Sequence, residues 1–164
     1  LLSRWRSAGI LLAVALLSTG AVAYSIHLGT AFRGGHTFSA DERAAAAWLR
    51  ERTDPDALIA AIPNSPASYP ILGLARRRLI HGWTTHMLDF RHDAKTRAEE
   101  AYALITTADP QRARDLARMR KVDFIWLGPE ADRAGLSGGL STDCFPEVFT
   151  AGTVRIRAFR CASE

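Results

Sequence analysis

The stretch His81-Gly-Trp-Thr-Thr-His-Met-Leu-Asp-Phe-Arg-His-Asp93 is the densest polar and aromatic cluster in this chain. Trp83 offers an apolar face for a sugar ring, His86 a donor or an acceptor, and Arg91 a planar fork suited to phosphate or carboxylate. His81, His86, Asp89 and His92 are also metal-ligating residue types. Their spacing matches no recognised ligand pattern, so no metal ion is expected. The structural alternative is that Trp83 and Phe90 pack a long loop while the histidines bond backbone carbonyls. A second candidate is Gly128-Pro-Glu-Ala-Asp132, where Glu130 could bind a hydroxyl or a cation. A carboxylate in that position equally serves the N-terminus of a following helix. Pro63-Asn-Ser-Pro66 lacks the glycine fingerprint of a dinucleotide site. The sequence also holds no Walker lysine, no Gly-x-Ser-x-Gly elbow and no Cys-x-x-Cys pair. No cofactor and no positioned catalytic nucleophile are therefore expected.

Both candidates follow segments that read as strands. Ala57–Ile62 is a continuous apolar run bounded by prolines, the mark of a strand buried on both faces. Arg77–His81 and Val122–Leu127 read as further strands. Helices are expected between them. Ser39-Ala-Asp-Glu42 has the form of a capping box and opens a helix to about Arg52, with Ala45, Trp48 and Leu49 on one face. A short helix is expected from Tyr69 to Ala75. A longer one runs from Asp93 to Thr106, with Ala94, Ala98, Ala101, Tyr102 and Ile105 at helical spacing. Asp109-Pro110 starts another, because proline suits the first helical position; its Ala113, Leu116 and Ala117 should face inward. Strands alternating with helices imply an α/β fold, three-layered and Rossmann-like, with a mostly parallel sheet. Open α/β sheets bind ligands beyond the carboxyl ends of their strands, where both candidate clusters would lie.

The end of the chain differs, reading as an antiparallel hairpin of Glu147–Ala151 and Val154–Phe159. Gly152-Thr153 suits a two-residue type II′ turn, which pairs Ala151 with Val154. The register then sets Phe149 opposite Ile156, Glu147 opposite Ala158, and Cys144 opposite Cys161. That last pair is a non-hydrogen-bonded one with Cα atoms about 4.5 Å apart, within disulfide range. The two cysteines are thus a disulfide candidate, and closing the short loop should stabilise by about 3 kcal/mol.

At the other end, Ser7–Phe32 contains no Asp, Glu, Lys or Arg over 26 residues. Gly9–Ile26 is long and apolar enough to cross a bilayer, with Trp5 and Tyr24 near its ends. Residues 1–33 are therefore expected to be a transmembrane helix with its flanks, and 34–164 an extracytoplasmic α/β domain. A secretory signal peptide is the rival reading, since Ala21-Val-Ala23 before Tyr24 fits the cleavage rule. Both readings put the domain outside the cytoplasm, the first of them on the cell membrane. Arg4, Arg6 and Arg33 supply most of the net charge of +4, so the remainder is nearly neutral and nucleic acid is excluded as a partner. The first residue is Leu, and the chain is expected to be a processed form or a fragment of a longer one.

Ile80-His-Gly-Trp-Thr-Thr-His86, Phe90-Arg91, Ala108-Asp109, Val122-Asp-Phe-Ile-Trp-Leu-Gly-Pro-Glu130 and Val148–Ile156 occur in a familiar order. Over roughly 39–159 the chain resembles the C-terminal extracytoplasmic region of polytopic bacterial and archaeal membrane proteins of the YYY family. Those in turn resemble the GT-C superfamily of lipid-sugar-dependent glycosyltransferases. The resemblance implies a terminal domain that covers or feeds a membrane-embedded active site and contacts a lipid-linked sugar or glycan acceptor. Further membrane helices of a longer protein would be its partners, besides the bilayer. GT-C catalytic carboxylates sit in an early extracytoplasmic loop with no counterpart here, so no catalytic residue carries over and this chain alone is not expected to catalyse. The alternative is a single-pass anchored or secreted binding or assembly module without enzymatic role. Trp83, His86, Arg91 and Glu130 are the ligand-binding candidates on either reading. Cysteine-accessibility labelling should modify engineered sites beyond Arg33 in intact cells; labelling only after lysis would overturn the topology.

Overall fold

The computed structural model describes residues 37–81, 93–136, 138–140 and 143–161. Helix α1 (Ala40–Arg52) starts on the capping box. The Glu42 N–H donates to the Ser39 hydroxyl at 3.1 Å, and the Ser39 N–H donates to the Glu42 carboxylate at 2.8 Å. Strand β1 (Leu58–Ala60) leads through a π-helix, Pro70–Leu74, to strand β2 (Arg78–Leu79). The π-helix replaces the ordinary short helix expected there: Ala75 N–H reaches back five residues to the Pro70 carbonyl at 2.9 Å. Helices α2 (Ala94–Thr106) and α3 (Pro110–Arg120) follow, then strand β3 (Phe124–Leu127), a short α4 (Pro129–Arg133), a 3-10 turn (Gly138–Leu140), and the hairpin β4 (Glu147–Ala151) and β5 (Val154–Ala158). Asp109 caps α3 as its sequence predicts, its carboxylate accepting from Gln111 N–H at 2.9 Å with Pro110 in the first turn. Among the described residues no helix is long and apolar enough to cross a membrane, and Gly9–Ile26 lies outside the described residues.

The described strands form one sheet in the order β2-β1-β3-β5-β4. β1 pairs in parallel with β2 and β3, and β5 pairs antiparallel with β3 and β4. Among these strands only β5 opposes the common direction. Alternation along β1 and β3 feeds two cores, one on each face. Ile59, Trp126, Val154 and Ile156 pack with Ala45, Ala46 and Leu49 of α1 and Ile71 of the π-helix. Ala60, Ile125 and Leu127 pack with Leu104 and Ile105 of α2 and Ala113 and Ala117 of α3. The result is the expected helix–sheet–helix sandwich. Tyr102 departs from expectation: it is exposed and its hydroxyl donates to the Ala134 carbonyl at 3.3 Å, while Leu104 takes the buried place.

The hairpin keeps its turn and loses its register further out. Gly152 has φ +51°, as the first central residue of the expected turn requires, and Ala151 pairs with Val154 and Phe149 with Ile156. A bulge at Val148 then sets Glu147 opposite Arg157 rather than Ala158. Val148 and Phe149 consequently both pack on the α1 side of the sheet, which a regular strand could not achieve. Beyond the bulge Cys144 accepts from Arg160 N–H at 2.9 Å. The disulfide to Cys161 still forms, with Cα atoms 4.5 Å apart. The pairing is as expected; the directly opposed register that motivated it is not.

Helix α1 is secured at its carboxyl end by Arg77, which is 6 % exposed. Its guanidinium donates to the Arg50 carbonyl at 2.7 Å, the Thr53 carbonyl at 2.9 Å, the Thr53 hydroxyl at 2.8 Å and the Ala75 carbonyl at 3.1 Å. These acceptors include carbonyls left open by the helix end, where a cation is favoured. Arg77→Ala strands them in the interior and should cost about 3 kcal/mol in urea unfolding. Arg77→Lys, with fewer donors and no fork, should cost less than alanine and more than nothing.

Candidate functional site

The chain leaves β1 for β2 on one side and later returns to β3 on the other. The first crossover carries the π-helix on the α1 face, and the second carries α2 and α3 on the opposite face. The carboxyl ends of β1 and β3 therefore flank a topological switch point, the position where a sheet of this kind forms a crevice. Register puts His81 level with Ala61 and Trp126, and Gly128 just beyond, so the segments after all three parallel strands gather at this edge.

Buried and half-buried polar groups gather here, and three of their oxygens lack partners among the described residues. After β1, Ser65 and Ser68 are 4 % and 1 % exposed, and neither hydroxyl meets a hydrogen-bond partner among the described residues. After β3, Glu130 is half-buried in the first turn of α4, and its Oε1 likewise has no partner among them. Gly128 permits this placement, since a Cβ there would stand 2.5 Å from Glu130 Oε2. Burial, reinforced by the charge of Glu42, holds the Glu130 carboxyl above the usual glutamate range; its own backbone N–H and Arg133 pull the other way. After β2, His81 is buried, and desolvation lowers its pKa, keeping the imidazole neutral at physiological pH. Unmet polar atoms are rare in native interiors, and these three lie in the segments that follow β1 and β3.

The rim is fixed from two directions. Asp41 in the first turn of α1 accepts from the Thr153 N–H at 3.1 Å, tying the helix to the hairpin turn. Arg155 donates to Asp132 at 2.7 Å, tying β5 to α4. Among the described residues no group of three or more His, Cys, Asp or Glu side chains could hold a metal ion.

Of the residues singled out from sequence, Glu130 lies at this edge. Trp83, His86 and Arg91 lie outside the described residues. Of the residues that flank their segment, His81 follows β2 toward the carboxyl edge, and Asp93 lies beside Arg120 at the start of α2, 3.2 Å from its guanidinium. Ser65 and Ser68 carried no signal in the sequence beyond following a strand, because short hydroxyls between prolines read as loop residues.

No family model matches the chain, and no curated protein does. Among solved structures it is similar to the C-terminal globular domain of oligosaccharyltransferase from Archaeoglobus fulgidus. The likeness is one of fold. It has a TM-score of 0.54 at 14 % identity and covers 76 % of this chain and 100 % of that one.

Glu130 gives the edge a pH signature. A carboxyl whose pKa is raised by folding binds its proton more tightly in the folded state, so stability is greatest when it is protonated. Stability therefore falls as pH rises from the unfolded value of about 4.3 through the raised folded value. Glu130→Gln should raise the unfolding midpoint at pH 7, and its advantage should vanish below about pH 4. A constant difference across that range would remove Glu130 as the titrating group.

Proposed function

We propose that this chain is the extracytoplasmic, membrane-anchored C-terminal domain of a GT-C-like glycosyltransferase. It contacts a sugar or glycan acceptor at the carboxyl edge of its sheet and leaves the transfer itself to membrane-embedded parts of a longer protein. The observation that carries this reading is the fold shared with the C-terminal globular domain of an archaeal oligosaccharyltransferase. The unsatisfied Ser65, Ser68 and Glu130 oxygens support it, because sugar hydroxyls both donate and accept and so complement hydroxyls and a carboxyl together. Glu42, the carboxylate whose charge bears on Glu130, is engaged with the Ser39 N–H in the capping box. That role in helix structure agrees with a binding edge better than with an acid–base pair. Lipid-linked sugar and the bilayer are the partners this reading assigns, and the outer face of the cell membrane its location.

A Ser65→Ala, Ser68→Ala double variant separates binding from folding. Removing two buried hydroxyls that lack partners should leave unfolding stability equal or higher. Contact with glycan, read by saturation-transfer NMR on the full chain in neutral detergent, should weaken by at least about fivefold, the effect of one lost hydrogen bond of about 1 kcal/mol, and further if both hydroxyls are engaged. Glycan transfer by membranes carrying the protein should fall in parallel. Unchanged contact and unchanged transfer would sink the proposal and favour an anchored assembly module.

A further inference from the structure

The opposite edge of the sheet carries a different chemistry. At the amino ends of β1 and β2 lies a cavity of about 260 Å³, with Leu58 and Leu79 in its wall and Arg78, Arg97, Arg120 and Lys121 around it. The four cations come from three elements: β2, the first turn of α2, and the end of α3. Two carboxylates offset them in part. Asp93 lies 3.9 Å from Arg97 and 3.2 Å from Arg120, and Glu100 also pairs with Arg120. A third, Asp123, is spent on the Leu58 N–H at 2.7 Å. Arg78 and Lys121 make no ion pair among the described residues and are exposed at the mouth. Asp93 precedes α2 without capping it through its side chain, and its carboxylate is shared between Arg97 and Arg120 instead.

A shallow groove of about 320 Å³ along α3 shares Met119 with this cavity; Leu116 and Met119 supply its apolar surface, and Asp109, Gln111, Arg112 and Asp115 line the rest. Met119 is 57 % exposed and so offers apolar surface beside the cations.

We infer that this amino-edge cavity binds a phosphoryl group. Cations converging from three directions suit a tetrahedral anion with several oxygens better than a planar carboxylate, which one arginine fork satisfies. The adjoining Leu116 and Met119 surface suits the apolar part of a phospholipid, so a lipid headgroup and a soluble phosphate are the two sources of the same chemistry. The inference concerns the far edge of the sheet and stands whether or not the carboxyl edge contacts glycans.

Met119 is one of two methionines in the chain, so its labelled methyl group is a direct reporter. With the full chain in neutral maltoside detergent, inorganic pyrophosphate should shift the Met119 methyl resonance saturably. Arg78→Gln combined with Lys121→Gln should weaken that binding about tenfold while leaving the unfolding midpoint unchanged. Dihexanoyl phosphatidic acid binding more tightly than pyrophosphate supports the site and identifies a headgroup as its ligand; equal binding supports it and identifies a soluble phosphate. No saturable shift with either probe, or a shift equally strong in the double variant, overturns the inference.

Discussion

The guanidinium of Arg77 is the contact on which the layout of one whole face depends. Its donors reach the open carbonyl end of α1 and the end of the π-helix, so the chain entering β2 is bonded to both elements at once. Every acceptor is neutral, and the charge is tolerated because the helix end supplies several oxygens of partial negative character. With its carboxyl end held there, α1 must lay Ala45, Ala46 and Leu49 across Trp126 and Ile156. Its amino end then falls where Asp41 can meet the hairpin turn and Glu42 can press its charge on Glu130. A side chain at the start of β2 thus sets the electrostatics at the other end of the sheet.

The two edges of that sheet divide the polar chemistry between them. Hydroxyls, a neutral imidazole and a carboxyl of raised pKa gather beyond the carboxyl ends. Arginines and a lysine gather beyond the amino ends. The helical hairpin makes this division possible. Because α2 and α3 run antiparallel within one crossover, α2 begins at the amino edge, not where a single crossover helix would begin. Asp93, Arg97 and Arg120 meet there as a result.

Local rules carried most of the fold from the sequence. The capping box at Ser39, the proline at the start of α3, the apolar run of β1 and the glycine at the hairpin tip each depend on a few neighbouring residues, and each stands as read. What escaped depends on distant partners. Val148 and Phe149 are both apolar, so either could face the core, and only packing against α1 makes both do so through a bulge. Tyr102 fits a buried helical stripe by spacing, yet the Ala134 carbonyl at the surface holds its hydroxyl. Glu130 was legible because a strand and a helix start bracket it. Ser65 and Ser68 were not, since an unmet hydroxyl is a property of the interior around it and not of its own type.

The Cys144–Cys161 bond closes the hairpin at its open end, seventeen residues apart in sequence. Tension applied at the C-terminus therefore enters at Cys161 and passes directly to Cys144, bypassing both hairpin strands. The rungs between β4 and β5 carry no load, so pulling cannot unzip the hairpin from its free end. Any rupture must instead begin in the segment ahead of Cys144 or at the β3–β5 border, where four residue pairs hold the closed loop to the sheet. The last element of the chain is consequently a mechanical clasp.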